Sequence, residues 1–277
     1  MALVPFPSKG AKPASPGDQE DEWDDDPESD DSGKMSFLDH LDELRRRIIY
    51  SLISVVVGFG LACVFLQRLF NFVVDPMQAL VAPQKLIFTE PTEALMIYVK
   101  IAVIAGILIS SPAVMAQVWL FISPGLYTNE KKLAIPFILL SSFFFVAGAA
   151  FAHFLVFPLT MRFMASFASD ALTYMPRVEP TFSLYMKLIL TFGLIFQMPT
   201  IVLFLARMGL VTARFLLRHT KYAVLIAFIV GAVLSPGTDP VGQIAMAGPM
   251  VLLYFIGILL AWIFGKKRTP EPVDTDA

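Results

Sequence analysis

The stretch FLDHLDELRRR, Phe37 to Arg47, runs without a break into the apolar IIYSLISVVVGFGLACVF of residues 48–65. A short, highly charged segment set against a run that can cross a bilayer belongs at a membrane surface. Ser36 can cap a helix start, with Asp39 three residues on in a weak capping-box pattern. Phe37, Leu38, Leu41, Leu44 and Ile48 follow helical spacing, and the opposite face carries Asp39, His40, Asp42, Glu43 and Arg47. Two readings of that polar face stand side by side. One is a solvated juxtamembrane helix whose Asp42/Arg46 and Glu43/Arg47 pairs add about 0.3–0.5 kcal/mol each. The other is an acidic docking face for a basic peptide.

The rest of the chain agrees with a membrane. With 56% hydrophobic residues, a mean hydropathy of +0.69 and 25 Phe in 277 residues, its apolar side chains exceed what one soluble core can hide, so a polytopic membrane protein is expected. The formal charge of -2 conceals two regions of opposite sign. Residues 1–34 carry ten acids against Lys9, Lys12 and Lys34, a local -7; the remainder carries 18 bases and 13 acids, a local +5. Cys63 is the single cysteine and forms no intrachain disulfide, so stability has to come from helix packing in lipid. The first residues show neither a secretory leader's basic and apolar regions nor the acid-poor composition of a transit peptide. The expected location is a prokaryotic inner membrane, entered through the first transmembrane helix.

Three parts follow from composition. Residues 1–34, with five prolines and an acidic run broken by Trp23, read as a disordered acidic tail. Residues 35–265 read as one all-α membrane domain, and residues 266–277 as a short cytoplasmic tail. Within the domain, apolar stretches at about 46–66, 96–121, 133–157, 182–205, 220–235 and 243–264 predict six transmembrane helices. The uninterrupted part of the fifth, Tyr222 to Leu234, rises only about 20 Å, which predicts a thinned bilayer or shielding neighbours there. Lys and Arg in the flanks set the orientation. With the N-terminus inside, twelve bases, from Arg45 to Arg268, fall on the cytoplasmic side and six, Arg68, Lys85, Lys100, Arg162, Arg177 and Lys187, fall outside. Both termini are therefore expected in the cytoplasm. The proline-rich outer segments 67–95 and 158–181 are too long for plain turns and predict short helical caps, whereas SPGTDPVG, Ser235 to Gly242, is a tight turn.

Chemistry-bearing patterns are sparse. The chain contains no HExxH, GxSxG or Walker A motif, and its histidines are His40, His153 and His219. No enzyme activity, metal or cofactor is expected. Gln197, in FGLIFQMPTIV, is the most central polar side chain, and Pro199 removes a hydrogen bond to the carbonyl of Ile195. A polar group at that depth faces a cavity or partner, or bonds to another helix. Pro112 and Pro249 relax two further helices, and the three prolines together suggest a cupped bundle. In FISPGLYTNEKKL, residues 121–133, Pro124 and Gly125 stop a helix, and Glu130 lies on the same membrane side as Glu43. The loop reads as an ordinary charged cap or as half of a two-carboxylate clamp for guanidinium groups. Gln243 and Asp239 either cap the last outer turn or hydrogen-bond a docking helix.

Six segments in order carry a resemblance. They are HLDELRRR at 40–47, Asp75-Pro76 in the first outer segment, SPAVMAQVWLFISPGLYTNEKK at 111–132, FAHFLVFPL at 151–159, FGLIFQMP at 192–199 and LSPGTDPVGQ at 234–243. With them the chain resembles TatC, the receptor subunit of the twin-arginine (Sec-independent) protein translocase. The resemblance implies a six-helix cupped bundle without catalytic chemistry that recognises folded cargo through signal peptides bearing consecutive arginines. It places Glu43, Leu44, Arg45, Phe121 and Glu130 in the recognition patch and gives Pro76 a role in shaping the outer cap. Gln197 falls where family members often carry glutamate. Ser235 and Gln243 fall in a polar patch where the single-span partners TatA or TatB dock, next to membrane lipid and within a homo-oligomeric receptor complex; no nucleic acid is implied. Transport would draw on the proton motive force. The competing class is a secondary transporter or channel for a small solute, motivated by Gln197 and the broken helices.

Overall fold

The computed structural model describes residues 37–81, 86–122, 134–169, 173–235 and 240–265. The acidic tail and the C-terminal tail lie outside the described residues. The chain divides into two units, Met1–His40 and Leu41–Ala277, and of the first only the helical residues 37–40 are described.

The described elements are α1 (Phe37–Val64), α2 (Leu66–Val81), α3 (Pro91–Ile122), α4 (Ala134–Phe151), α5 (Phe157–Ala165), α6 (Val178–Ile195), α7 (Met198–Arg207), α8 (Ala213–Leu234) and α9 (Pro240–Phe264). A π-helical turn, Ala152–Val156, joins α4 to α5. Among the described residues there is no strand, and an isolated parallel bridge joins Ile87 to Arg177. Six helical segments are long and apolar enough to cross a membrane: His40–Val64, Pro91–Ile122, Ile135–Ala165, Val178–Arg207, Ala213–Leu234 and Gly242–Phe264. All six expected spans are present, in order.

Local chemistry explains the punctuation. Pro91 and Pro240 open α3 and α9, at a position where a missing N–H costs nothing. Thr212 caps α8, its hydroxyl accepting from the backbone N–H of Phe215 at 3.2 Å. Gly209, at φ 75°, closes α7 in the left-handed conformation, so that Leu210 N–H bonds back to the carbonyl of Leu205 at 3.0 Å. Pro112 lies inside α3 and denies the carbonyl of Leu108 its partner four residues on; the hydroxyl of Ser111 donates to that carbonyl at 2.8 Å instead. The helix continues through the proline.

One expectation is refined and one needs correcting. The proline-rich segment 158–181 does contain a short helix, α5, but it continues the third span through the π turn to Ala165. The fifth helix is also longer than its apolar core. It has 22 residues, which at about 1.5 Å per residue gives roughly 33 Å. Arg214, Arg218 and Lys221 had hidden its first two turns from a reading based on hydropathy. The first outer segment does form a helix, α2, with exposed Pro76 inside it and Val73 and Met77 buried on its inner face.

The main core joins α2, α3, the α4–π–α5 span, α6, α8 and α9 around Ile101, Ala152, Phe182, Leu188, Phe192 and Ala247. Close helix crossings use glycine. A Cβ on Gly148 would stand 2.4 Å from the carbonyl oxygen of Phe192, and one on Gly58 would stand 2.4 Å from that of Gly106. With lipid as apolar as the side chains, such approaches and the hydrogen bonds they permit hold the helices together. At the far end, the guanidinium of Arg177 bonds the buried carboxylate of Glu93 at 3.0 Å and the hydroxyl of Thr89 at 2.6 Å. Lys100 pairs with Glu179 at 2.8 Å.

Candidate functional site

Helix α1 places Glu43 and Arg47 one turn apart, the spacing at which a carboxylate and a guanidinium meet. Arg47 Nη2 lies 3.1 Å from Glu43 Oε1. The same guanidinium reaches across to α3, where Nη1 donates to Gln117 Oε1 at 3.1 Å. This is less exposed than an ordinary surface pair, with 13% of the Glu43 side chain and 25% of the Arg47 side chain accessible. The pair is also incomplete: among the described residues, Glu43 Oε2 and Arg47 Nε are both buried and have no hydrogen-bond partner. Buried polar atoms left in that condition are uncommon and unfavourable.

The other predicted members of the patch divide. Leu44 is half-buried, whereas Arg45 is exposed. Phe121 is half-buried on the last turn of α3, four residues beyond Gln117 and so on the same helical stripe. Glu130 and Pro124 lie outside the described residues. Sequence reasoning missed Gln117. Its signal was present, a lone amide in the apolar run AVMAQVWLF, but nothing in the one-dimensional pattern says that it meets residue 47.

Gln197 occupies the break between α6 and α7 that Pro199 enforces. It is 8% exposed and donates from Nε2 to the carbonyl of Ser141 at 2.9 Å. The hydroxyl of Ser141 accepts from the indole N–H of Trp119 at 2.7 Å, and Trp119 stacks on Phe137 with centroids 4.9 Å apart. Three spans are thereby tied at one level. The side chain that motivated a solute pathway bonds between helices, and Thr200 Oγ1, three residues on, is buried without a partner among the described residues.

His153 sits in the π turn, buried, with Nδ1 3.0 Å from the hydroxyl of Tyr185 and its ring stacked on Phe72. Where α8 ends and α9 begins, Gln243 Nε2 donates to the carbonyl of Phe228 at 2.9 Å, joining α9 to α8. Ser235 ends α8, its Oγ buried and without a partner among the described residues. It lines a cavity of about 80 Å³ together with Leu159, Thr160, Phe163 and Met246. Asp239 lies outside the described residues. Of the predicted polar patch, Gln243 therefore has its amide spent within the chain and Ser235 keeps an unmatched hydroxyl.

Comparison with known proteins gives one answer. Residues 39–249 match the family model described as "Sec-independent protein translocase protein (TatC)". The TatC protein of Desulforapulum autotrophicum is 41% identical over 239 residues, 86% of this chain and 88% of that protein. The one of Helicobacter pylori strain J99 is 40% identical over 238 residues, covering 86% and 91%. Two crystal structures of the twin-arginine translocase receptor TatC, one of them in DDM, superpose with TM-scores of 0.71 and 0.73 at 38% identity. Each covers 80% of this chain, and 97% and 99% respectively of the solved one. A family match over most of six spans, relatives above one-third identity and a shared fold lead to a single conclusion: the chain belongs to the TatC family of Sec-independent protein translocase components.

Proposed function

We propose that this protein is the core receptor of a twin-arginine translocation system. It binds the paired arginines of signal peptides on folded cargo at the end of the bundle that holds Glu43. The observation that carries this reading is the half-satisfied carboxylate of Glu43, whose buried Oε2 lacks a donor beside a membrane surface. A guanidinium supplies parallel N–H donors at carboxylate spacing, and an ammonium does not. Glu130 is the second carboxylate of the clamp, and Leu44 and Phe121 are apolar neighbours for the segment that follows the arginines. The patch faces the cytoplasm of a prokaryotic inner membrane, in keeping with the excess of Lys and Arg on that side. TatA and TatB, the single-span partners, dock at α8 and α9 near Ser235 and Gln243, and the proton motive force drives transport.

The test is affinity or cross-linking of the purified protein in detergent to a synthetic twin-arginine signal peptide. A twin-lysine peptide and the Glu43→Ala and Glu130→Ala variants serve as comparisons. Binding that needs the arginines and falls at least tenfold in either variant supports the clamp, in line with about 1.5–3 kcal/mol for a charge-assisted bond. Binding indifferent to all three changes removes it.

A further inference from the structure

The seat proposed for a cargo arginine already holds a guanidinium from the same chain. Arg47 Nη2 contacts Glu43 Oε1 at 3.1 Å, while Gln117 Oε1 holds Nη1 from α3, 70 residues away, also at 3.1 Å. Arg47 Nε and Glu43 Oε2 are the two buried atoms of this pair left without partners. They are the donor and acceptor that would complete a bidentate fork. The arrangement is an arginine seated one contact short of full engagement, and a second guanidinium offered to Oε2 competes with it directly.

We infer that Arg47, latched by Gln117, is an internal occupant of the Glu43 seat, and that a signal peptide binds by displacing it. This rests on the receptor reading above and adds its regulation. The physical consequence is specific. A latch that fills the seat lowers the apparent affinity of every cationic ligand by the same factor, the fraction of chains in which the seat is open. It leaves the intrinsic preference for arginine over lysine untouched. It sets a threshold: ligands with a single or poorly shaped cation fall below useful affinity, while a pair of bidentate guanidinium groups stays above it. Gln117 acts through Arg47 and is a positioning residue.

The experiment measures the affinity of the full chain in nanodiscs for twin-arginine and twin-lysine signal peptides, with Arg47→Gln, Arg47→Lys and Gln117→Leu alongside the unaltered protein. Removing the internal guanidinium in Arg47→Gln should tighten both peptides by a common factor of about ten. Gln117→Leu, which frees Arg47 without removing it, should tighten both by a smaller common factor of about three. Arg47→Lys, which keeps the charge but loses the fork, should fall between them. A twin-arginine affinity that is unchanged or weaker in Gln117→Leu, or in a folded Arg47→Gln, overturns the latch, even if the unaltered protein still prefers arginine, so the receptor reading survives that failure. An unaltered protein that binds neither peptide removes the receptor reading and the latch with it. Gln117→Leu places an apolar side chain in an apolar helix, so it keeps the test decisive should Arg47→Gln misfold.

Discussion

The first and fifth membrane spans bury 11% of the residues in an apolar 18-residue stretch within the chain, whereas the second, third, fourth and sixth bury 39–44%. The first span, at a mean hydropathy of 2.0, is about as apolar as the buried spans at 2.1–2.3, so hydropathy does not account for its exposure, whereas the fifth is less apolar, at 1.5. In lipid, apolar surface has no preference for another helix over an acyl chain, and association is decided by close backbone approach and polar contacts. The buried spans have both. Gly148 lies against Phe192, Gln197 bonds to Ser141, and His153 bonds to Tyr185. The first span is held at fewer places, chiefly the Gly58–Gly106 crossing and the contact from Arg47 to Gln117. The fifth leans on α9 through Gln243, through Tyr254 donating to the carbonyl of Leu216 at 2.7 Å, and through the close approach at Gly231. Two uncovered helices, carrying Leu52, Val56 and Leu61 on one and Leu225, Ile229 and Val233 on the other, are the faces this chain leaves to its surroundings.

The strongest challenge to that contrast is Gly148→Leu, whose added carbons meet helix backbone that cannot yield. It should cost about 3 kcal/mol, seen as a large drop in the thermal unfolding midpoint of the detergent-solubilised protein. A change of less than a degree would mean that the crossing is looser than its geometry. Next comes His153→Phe, which leaves the Tyr185 hydroxyl buried without its partner and should cost about 2 kcal/mol. Adding Tyr185→Phe should recover most of the loss, and a double variant no better than the single would show that packing against Phe72 matters more than the bond. Gln197→Leu should cost only about 1 kcal/mol, because a helix carbonyl such as that of Ser141 keeps its backbone partner. A collapse of folding, or loss of transport in cells with the fold intact, would give Gln197 a part beyond interhelical bonding. Gly60→Leu on the first span should have the smallest effect. Its Cβ meets nothing within 4 Å, so stability in detergent should stay within about 0.5 kcal/mol. A midpoint shift approaching that of Gly148→Leu would end the distinction between the groups.

The amino-acid sequence by itself determined the number and order of the spans, because partition into lipid is a local property that a window of about twenty residues reports. It also marked the break at Pro199, where the missing N–H acts on its own neighbours, although Pro112 and Pro249, read in the same way, lie inside continuous helices. The family was legible from six segments in order, from HLDELRRR to LSPGTDPVGQ. The start of the fifth helix was not legible, because Arg214 to Lys221 form helix without being apolar. The Glu43–Arg47 pair was visible as an i, i+4 spacing, but its burial and its unmatched atoms were not. Only the tertiary structure decided the partners of the polar side chains: Gln117 for Arg47, Ser141 for Gln197, Tyr185 for His153 and Phe228 for Gln243. Hydrogen-bond partners depend on which residues face one another where two helices cross, and that register is set by contacts such as Gly58 on Gly106 and Gly148 on Phe192, between residues 44 to 48 positions apart in the chain.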